Sequence, residues 1–328
     1  MATAPQEIRG PLRVAAPTTA LSQPAERYRR RRRKHGELRV ALIFISPWII
    51  GFLLFQFYPL LAAAYYSLTA YSLARSPIFI GLSNFKELFT NDGLFRLALE
   101  HSVIFAAISV PLNLVVAFMI ALLLNRNIRF RGLLRAIFFL PAIVPSVANA
   151  FLWAMMLRTT VGPVDGILGL LHLPDIDWLD TPQWALPVLI LVNAWAIGPA
   201  IVIFLAGLQD VPRTLYEAAR VDGARAHHMV RYVTLPMMSR VVVFNSIIGI
   251  IAAFQVFTLP YVIFSIAGKG GGGAENAGLM YSVQLFTVAF SQFDIGYAAA
   301  MAWVLTVIIF GLSLLAIRFS RRYTTSDY

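Results

Sequence analysis

The sequence predicts an all-α integral membrane protein with six transmembrane helices and a long cytoplasmic loop between the fourth and the fifth. Three observations predict it. The 328 residues are 59% hydrophobic and 13% charged, with a mean hydropathy of +0.71, whereas an ordinary soluble domain carries about 25% charged residues. Six uncharged runs each reach the roughly 20 residues that a helix needs to cross a hydrocarbon core about 30 Å thick. Twenty-two of the 27 lysines and arginines gather on one side of those runs.

Taken in order, residues 1–36 read as a disordered basic cytoplasmic tail, and 37–328 as the transmembrane domain. The tail begins with Ala, Pro and Thr without periodicity. Its run from Arg29 to Lys34 stands just before the first span, which reads as a topology signal also drawn to anionic membrane lipid, with no nucleic acid partner. The first apolar run exceeds the 7 to 15 residues of a signal-peptide core and has no clear small-residue cleavage site, so it is expected to be retained.

The spans fall at about 40–64, 102–124, 136–157, 184–208, 241–264 and 296–317. Each is continuous and apolar, unlike the alternating segments of a barrel strand, and helices satisfy their own backbone in lipid. Prolines 47, 59, 111, 141, 145, 187, 199 and 260 lie in or beside spans and are expected to act as kinks.

Orientation follows from the positive-inside bias. Ten basic residues precede the first span, four lie in the second connection, five in the fourth, and three follow the last span. The other face holds Arg75, Lys86, Arg96, Arg158 and Lys269. Both termini are therefore expected to be cytoplasmic.

Several chemistries are disfavoured. There is no cysteine. Of the five histidines only His227 and His228 are neighbours, and adjacent helical residues diverge by about 100°, so no metal site is expected. No G-x-x-x-x-G-K-S/T loop occurs, so this chain is expected to bind no ATP or other cofactor itself. Glu100, His101, Arg135 and Asp294 stand at span edges and the span interiors hold no ionisable residue. Proton relays need such groups at membrane depth. An ion-coupled secondary carrier of a small solute is thus the second reading, since sodium sites built from backbone carbonyls escape this test. A membrane-embedded enzyme would want clustered acid, base or metal groups in the spans, and none is visible. Six spans without a visible repeat suggest half of an assembly whose energy arrives from elsewhere.

The fourth connection, 210–240, shows where. It contains Glu217-Ala218-Ala219, three residues, Gly223, nine residues, and Val233-Thr234-Leu235-Pro236. Asp210 is placed to cap a helix and Pro212 suits a first turn; Leu215, Tyr216, Ala218, Ala219 and Val221 form an apolar surface that Gly223 ends. Glu217, Arg220, Asp222 and Arg225 offer charged contacts at its rim. An amphipathic helix lying on lipid is the other reading. The spacing resembles the EAA loop of permease subunits of binding-protein-dependent ABC importers, with Val233 in place of Ile.

From about residue 40 to the end the chain resembles the carbohydrate-uptake, maltose-type branch of those permeases. The pieces are Gly81-Leu82-Ser83-Asn84-Phe85 with Lys86-Glu87-Leu88-Phe89, Arg131-Gly132 with Leu140-Pro141 and Val144-Pro145, Phe254-Gln255-Val256-Phe257, and Phe293-Asp294-Ile295-Gly296-Tyr297-Ala298. Two stretches depart from the family pattern: Phe257 is followed by Thr258-Leu259-Pro260 where an acidic or polar residue is usual, and the outer loop reads G-K-G-G-G-G.

The resemblance implies a heteromeric importer in a bacterial or archaeal cell membrane. Its parts would be this chain, a second permease subunit, two ATPase subunits that hold ATP and Mg, and an extracytoplasmic solute-binding protein that delivers a carbohydrate-like substrate. Glu217, Ala218, Ala219, Asp222, Gly223, Leu235 and Pro236 would couple the chain to the ATPase. For the substrate path the candidates are Asn149, Asn193, Trp195, Asn245, Gln255 and Tyr261, because amides and aromatic faces hold sugars. Gln255 comes first, since it lies in the segment resembling the family's path-lining fifth span. The same residue types also bond neighbouring helices or mark interfaces, and both readings stand at this point. The acidic outer connection, with Asp165, Asp175, Asp177 and Asp180, reads either as a landing surface for the binding protein or as a solvated loop.

Overall fold

A computed structural model describes residues 40–126, 129–159, 162–172 and 174–321. The tail expected at 1–36 lies outside the described residues. The chain falls into two units, Met1–Leu61 and Ala62–Tyr328.

The first span, Val40–Ser67, is a helical run of 28 residues. Within the first unit its turn Leu53–Phe57 widens to a π-turn, and Tyr58 donates its N–H to Leu53 five residues back. The cause is Pro59, whose ring collides with the carbonyl four residues before it in a regular helix. Trp48 stacks on Phe52 at 5.6 Å.

In the second unit the chain first makes a β-hairpin that an all-helical reading does not anticipate. Strands β1 (Thr69–Ser72) and β2 (Arg75–Phe79) pair antiparallel, Thr69 opposite Phe79 and Ala70 opposite Ile78. The Asn84 amide fastens the hairpin by donating to the Ser67 and Thr69 carbonyls at 2.9 and 3.0 Å.

Gly93–Leu124 is the second span, 32 residues long. It starts before the expected residue 102 because Asp92 caps it, Oδ1 accepting the Phe95 N–H at 2.9 Å. This helix is the central post. Its lower half buries Ala117 and Ala121 completely, a small-residue pair one turn apart that lets helix Gly198–Asp210 approach closely. Around that contact Leu124, Ile201, Phe204, Leu208 and Met238 form one core cluster. A second, larger cluster surrounds Phe105, Phe254, Phe264, Tyr281 and Met301. Tyr281 anchors it, with its hydroxyl donating to the Met301 carbonyl at 2.8 Å and its N–H to Ser102 Oγ at 2.9 Å. Burial, and behind it the Asp92 carboxylate, push that hydroxyl above its usual pKa range, so it stays a donor.

The third span does not kink; it breaks. Helices Arg131–Ile143 and Ser146–Met156 meet at 96°. Val144 is extended, at ψ 129°, as a residue before proline prefers, and Pro145 has no N–H to continue the helix. The fourth span, Pro182–Ala196 with Gly198–Asp210, bends by 48° just before Pro199. With each bent pair counted as one span, the other four spans and the two pairs make six among the described residues. The fifth, Ser239–Ile266, is interrupted at Gln255 to Phe257. Ser282 Oγ donates to the Phe254 carbonyl at that interruption, at 3.0 Å, as broken membrane helices require. Ile295–Arg321 is the last.

Candidate functional site

The expected coupling loop folds as a helix, a turn and a second helical stretch. Helix Arg213–Val221 follows Pro212, which sits at its N-cap with ψ 130°, and no side chain caps the start. Asp210 instead ends the preceding helix Gly198–Asp210, so its expected capping role is not observed. At the other end Gly223 adopts φ +76°, a left-handed conformation that costs other L residues roughly 1–2 kcal/mol. The Gly223 N–H donates to Arg220 O at 3.0 Å and the Ala224 N–H to Ala219 O at 2.9 Å, the paired bonds of a Schellman cap.

Beyond the turn, Ala226–Met229 runs through a π-turn, Val230–Thr234, into Leu235–Met237. Leu235 donates its N–H to Val230, five residues back. Pro236 of the motif widens this turn as Pro59 does the other. Thr234, 2% exposed, donates its hydroxyl to Met229 O at 3.3 Å and lies 3.0 Å from Tyr216 Oη. With the threonine proton already used, Tyr216 is the donor of that second bond. Tyr216 packs against the core cluster of Ala117, Leu208 and Met238, as does Val233, so both helical stretches of the loop are pinned to the core.

The expected apolar surface therefore divides. Tyr216 turns inward, while Val221 stands 88% exposed beside exposed Glu217, Ala218, Asp222 and Gly223. Ala219 is half-buried, and Leu235 and Pro236 are exposed on the second stretch.

The path candidates separate into different settings. Asn193 ends helix Pro182–Asn193 at the bend of the fourth span and accepts the Asn113 amide at 2.7 Å. Trp195, in the 3-10 turn that follows, is 55% exposed and meets Trp153 edge-on at 6.0 Å. Asn149 is half-buried on the second limb of the broken third span. Gln255 is exposed at the interruption of the fifth span. Tyr261 stacks on Phe257 at 5.1 Å and meets Phe286 at 5.4 Å, and Phe286 in turn lies 5.0 Å from Phe290. Asn245 is different. It is buried and donates its amide to Val241 O of its own helix at 3.1 Å, which is a packing arrangement.

Sequence reasoning missed Asn113, Trp153, Phe257, Phe286 and Phe290. Asn113 carried the same signal as Asn193, an amide within an apolar run. Between the third and fourth spans Asp165 is buried, while Asp175, Asp177 and Asp180 are exposed, and Asp180 Oδ1 pairs with Lys269 Nζ at 3.2 Å.

Comparison with known proteins gives these elements a family. Residues 109–325 match the model of the binding-protein-dependent transport system inner membrane component. The chain is 40% identical over 282 residues to the probable ABC transporter permease protein YesP of Bacillus subtilis (strain 168), covering 84% of this chain and 89% of that one. It is 31% identical to the lactose transport system permease protein LacF of Rhizobium radiobacter, with 83% and 91% covered. In fold it is similar to a chain of the bacterial alginate ABC transporter solved in complex with alginate pentasaccharide-bound periplasmic protein, with a TM-score of 0.77, 23% identity, and 90% and 98% covered. None of the three lends support to an ion-coupled carrier. The chain belongs to the binding-protein-dependent transport system inner membrane components, the multi-pass, non-catalytic permeases of ABC transporters.

Proposed function

We propose that this permease forms half of the translocation path of an ATP-driven importer of a sugar or sugar-like solute, and that the segment from Arg213 to Met237 is its coupling element. The observation that carries the coupling role is the exposed face of helix Arg213–Val221, held by a Schellman cap at Gly223 and pinned from behind by Tyr216 and Thr234. A compact, preorganised helix of this kind loses little entropy when it docks. Glu217, Ala218, Ala219, Asp222 and Gly223, with Leu235 and Pro236 behind them, meet the ATPase. The sugar reading is supported by LacF and by other similar permeases named for trehalose/maltose and arabinooligosaccharides.

In this reading a second permease completes the path, two ATPase subunits hold ATP and Mg, and an extracytoplasmic protein delivers the solute. The basic connections face the cytoplasm, and both termini with them. Closing of the ATPase pair carries the loops along and switches the permeases between inward-facing and outward-facing arrangements. By linkage, ATP and the loaded binding protein each bind the outward-facing state more tightly than the inward one. Gln255, Asn193, Trp195, Asn149 and Tyr261 are the candidate path residues. The test is co-purification: the tagged chain brings down its ATPase, and Gly223→Asp weakens that association and abolishes uptake. An ATPase absent from the wild-type eluate, or uptake unchanged in the variant, overturns the proposal.

A further inference from the structure

At the end of the second, third and fourth spans lies a cavity of about 860 Å³ that the coupling role does not explain. Four arginines line it, Arg131 and Arg135 from the third span and Arg213 and Arg220 from the coupling helix, together with Glu217 and Tyr216. Their formal charges sum to a surplus of positive charge that one glutamate does not neutralise. Among the described residues none of the four arginines makes an ion pair, and the Nε atoms of Arg131 and Arg135 are buried without a hydrogen-bond partner.

The placement of two of these arginines is itself anomalous. Arg131 opens helix Arg131–Ile143 and Arg213 opens helix Arg213–Val221. Neither helix has an acidic residue in its first turn or a side-chain cap. Helix starts are positively polarised and favour anions, so a cation at each is unfavourable unless negative charge comes from outside. Two such starts converge on one cavity. The missing component has to be an anion that can accept from several guanidinium forks at once. Phosphate oxygens fit those forks bidentately, and the volume lies within the roughly 300–1,000 Å³ of small-ligand sites, far more than one carboxylate side chain fills.

We propose that this cavity binds a phosphate-bearing anion at the cytoplasmic surface of the membrane, with Arg131, Arg135, Arg213 and Arg220 as its ligands. The inference goes beyond the coupling proposal, and rests on it only for the side of the membrane that the cavity faces. The phosphate comes either from an anionic phospholipid headgroup, which the position at three span ends makes accessible, or from free phosphate in solution.

The experiment uses the assembled transporter purified in mild detergent and in phosphatidylcholine nanodiscs. Two probes are applied, phosphatidylglycerol added to the nanodiscs and inorganic phosphate added to the buffer, with bound lipid read by native mass spectrometry and stability by thermal melting. With about 1 kcal/mol for each arginine near a membrane surface, Arg131→Gln/Arg135→Gln is expected to hold phosphatidylglycerol roughly tenfold to thirtyfold more weakly. Arg231→Gln, in the same loop but outside the cavity, holds it as the wild type does. Retention of phosphatidylglycerol identifies the headgroup; stabilisation by inorganic phosphate alone, lost in the double variant, identifies free phosphate, and either supports the site. The proposal is overturned if neither probe binds or stabilises the wild type, if the double variant responds as strongly as the wild type, or if the double variant loses only its ATPase subunits, since the arginines then serve a protein interface. Because the first of these outcomes reads the wild type, a misfolded variant does not obscure it. Failure of the coupling proposal shows separately, as ATPase absent from the wild-type preparation.

Discussion

Asn113, on the second span, donates its side-chain amide to Asn193, at the bend of the fourth, across 2.7 Å. The bond joins two helices at the bend of the fourth span, and it uses the carbonyl oxygen of the Asn193 side chain, not its amide hydrogens. An interhelical hydrogen bond in a membrane contributes about 0.6 kcal/mol on average. Asn113→Ala is therefore expected to lower the thermal midpoint slightly with KM for uptake unchanged. If Asn193 lines the path, as proposed, Asn193→Ala is expected to raise KM severalfold as well. Uptake kinetics in vesicles, measured beside melting curves, separate the two, and equal KM values for both variants would leave Asn193 as a packing residue.

Gly223 supports a graded prediction. Its φ is +76° and no atom lies within 4 Å of where a Cβ would stand, so a side chain meets conformational strain without a clash. Asparagine tolerates the left-handed region, alanine does so less, and β-branched valine least. ATPase affinity is expected to fall in the order Gly, Asn, Ala, Val, with alanine losing about 1–2 kcal/mol. Affinities measured for the four chains check the order, and a flat series would show that the Schellman turn does not shape the docking face.

Gly198 limits the chain in the other way. A Cβ there would meet Phe138 O at 2.8 Å, where the fourth span presses on the first limb of the third. Backbone must move to admit it, and overpacking of this kind costs about 1–3 kcal/mol. Gly198→Ala is expected to lower the melting midpoint in detergent by several degrees, and wild-type stability in that variant would refute the close approach.

Tyr216 links helix Arg213–Val221 to the core cluster of Ala117, Leu208 and Met238. Tyr216→Phe keeps the ring in its cluster but removes the donor to Thr234, a change of about 0.5–1.5 kcal/mol. Hydrogen exchange across 226–237 should quicken several-fold while the spans are unaffected. Unchanged exchange would mean that the ring alone holds the loop.

Much of this fold is legible in the sequence because a bilayer imposes length and apolarity on each span, and composition alone reports both. The breaks are less legible. Val144-Pro145 is visible as a dipeptide, yet whether proline kinks a helix or turns it through 96° depends on what receives the second limb, here helix Thr258–Ile266. The hairpin at Thr69 is set by Asn84, fifteen residues on, which no local pattern announces. In the loop, Gly223 announces its turn through its lack of a Cβ, and Pro236 in the same way marks the widened turn. The inward rotation of Tyr216 is not local. It follows from packing against Leu208 and Met238, and spacing within the motif carries no trace of that. The cavity arginines read as topology signals in the sequence, and their convergence depends on where three span ends meet.

The central claim is that helix Arg213–Val221 docks on the ATPase, and a site-directed cross-link tests it most directly. The chain has no cysteine, so Ala218→Cys provides a single thiol at an exposed position without further changes. In membranes containing the partner subunits, a thiol-to-amine cross-linker of short span is expected to join this chain to the ATPase in high yield from Ala218→Cys. Ser76→Cys, on strand β2 of the hairpin and on the outer side in this reading, should give none. Absence of any ATPase adduct from position 218 in an assembled, active transporter, or an equal yield from position 76, would contradict the coupling account.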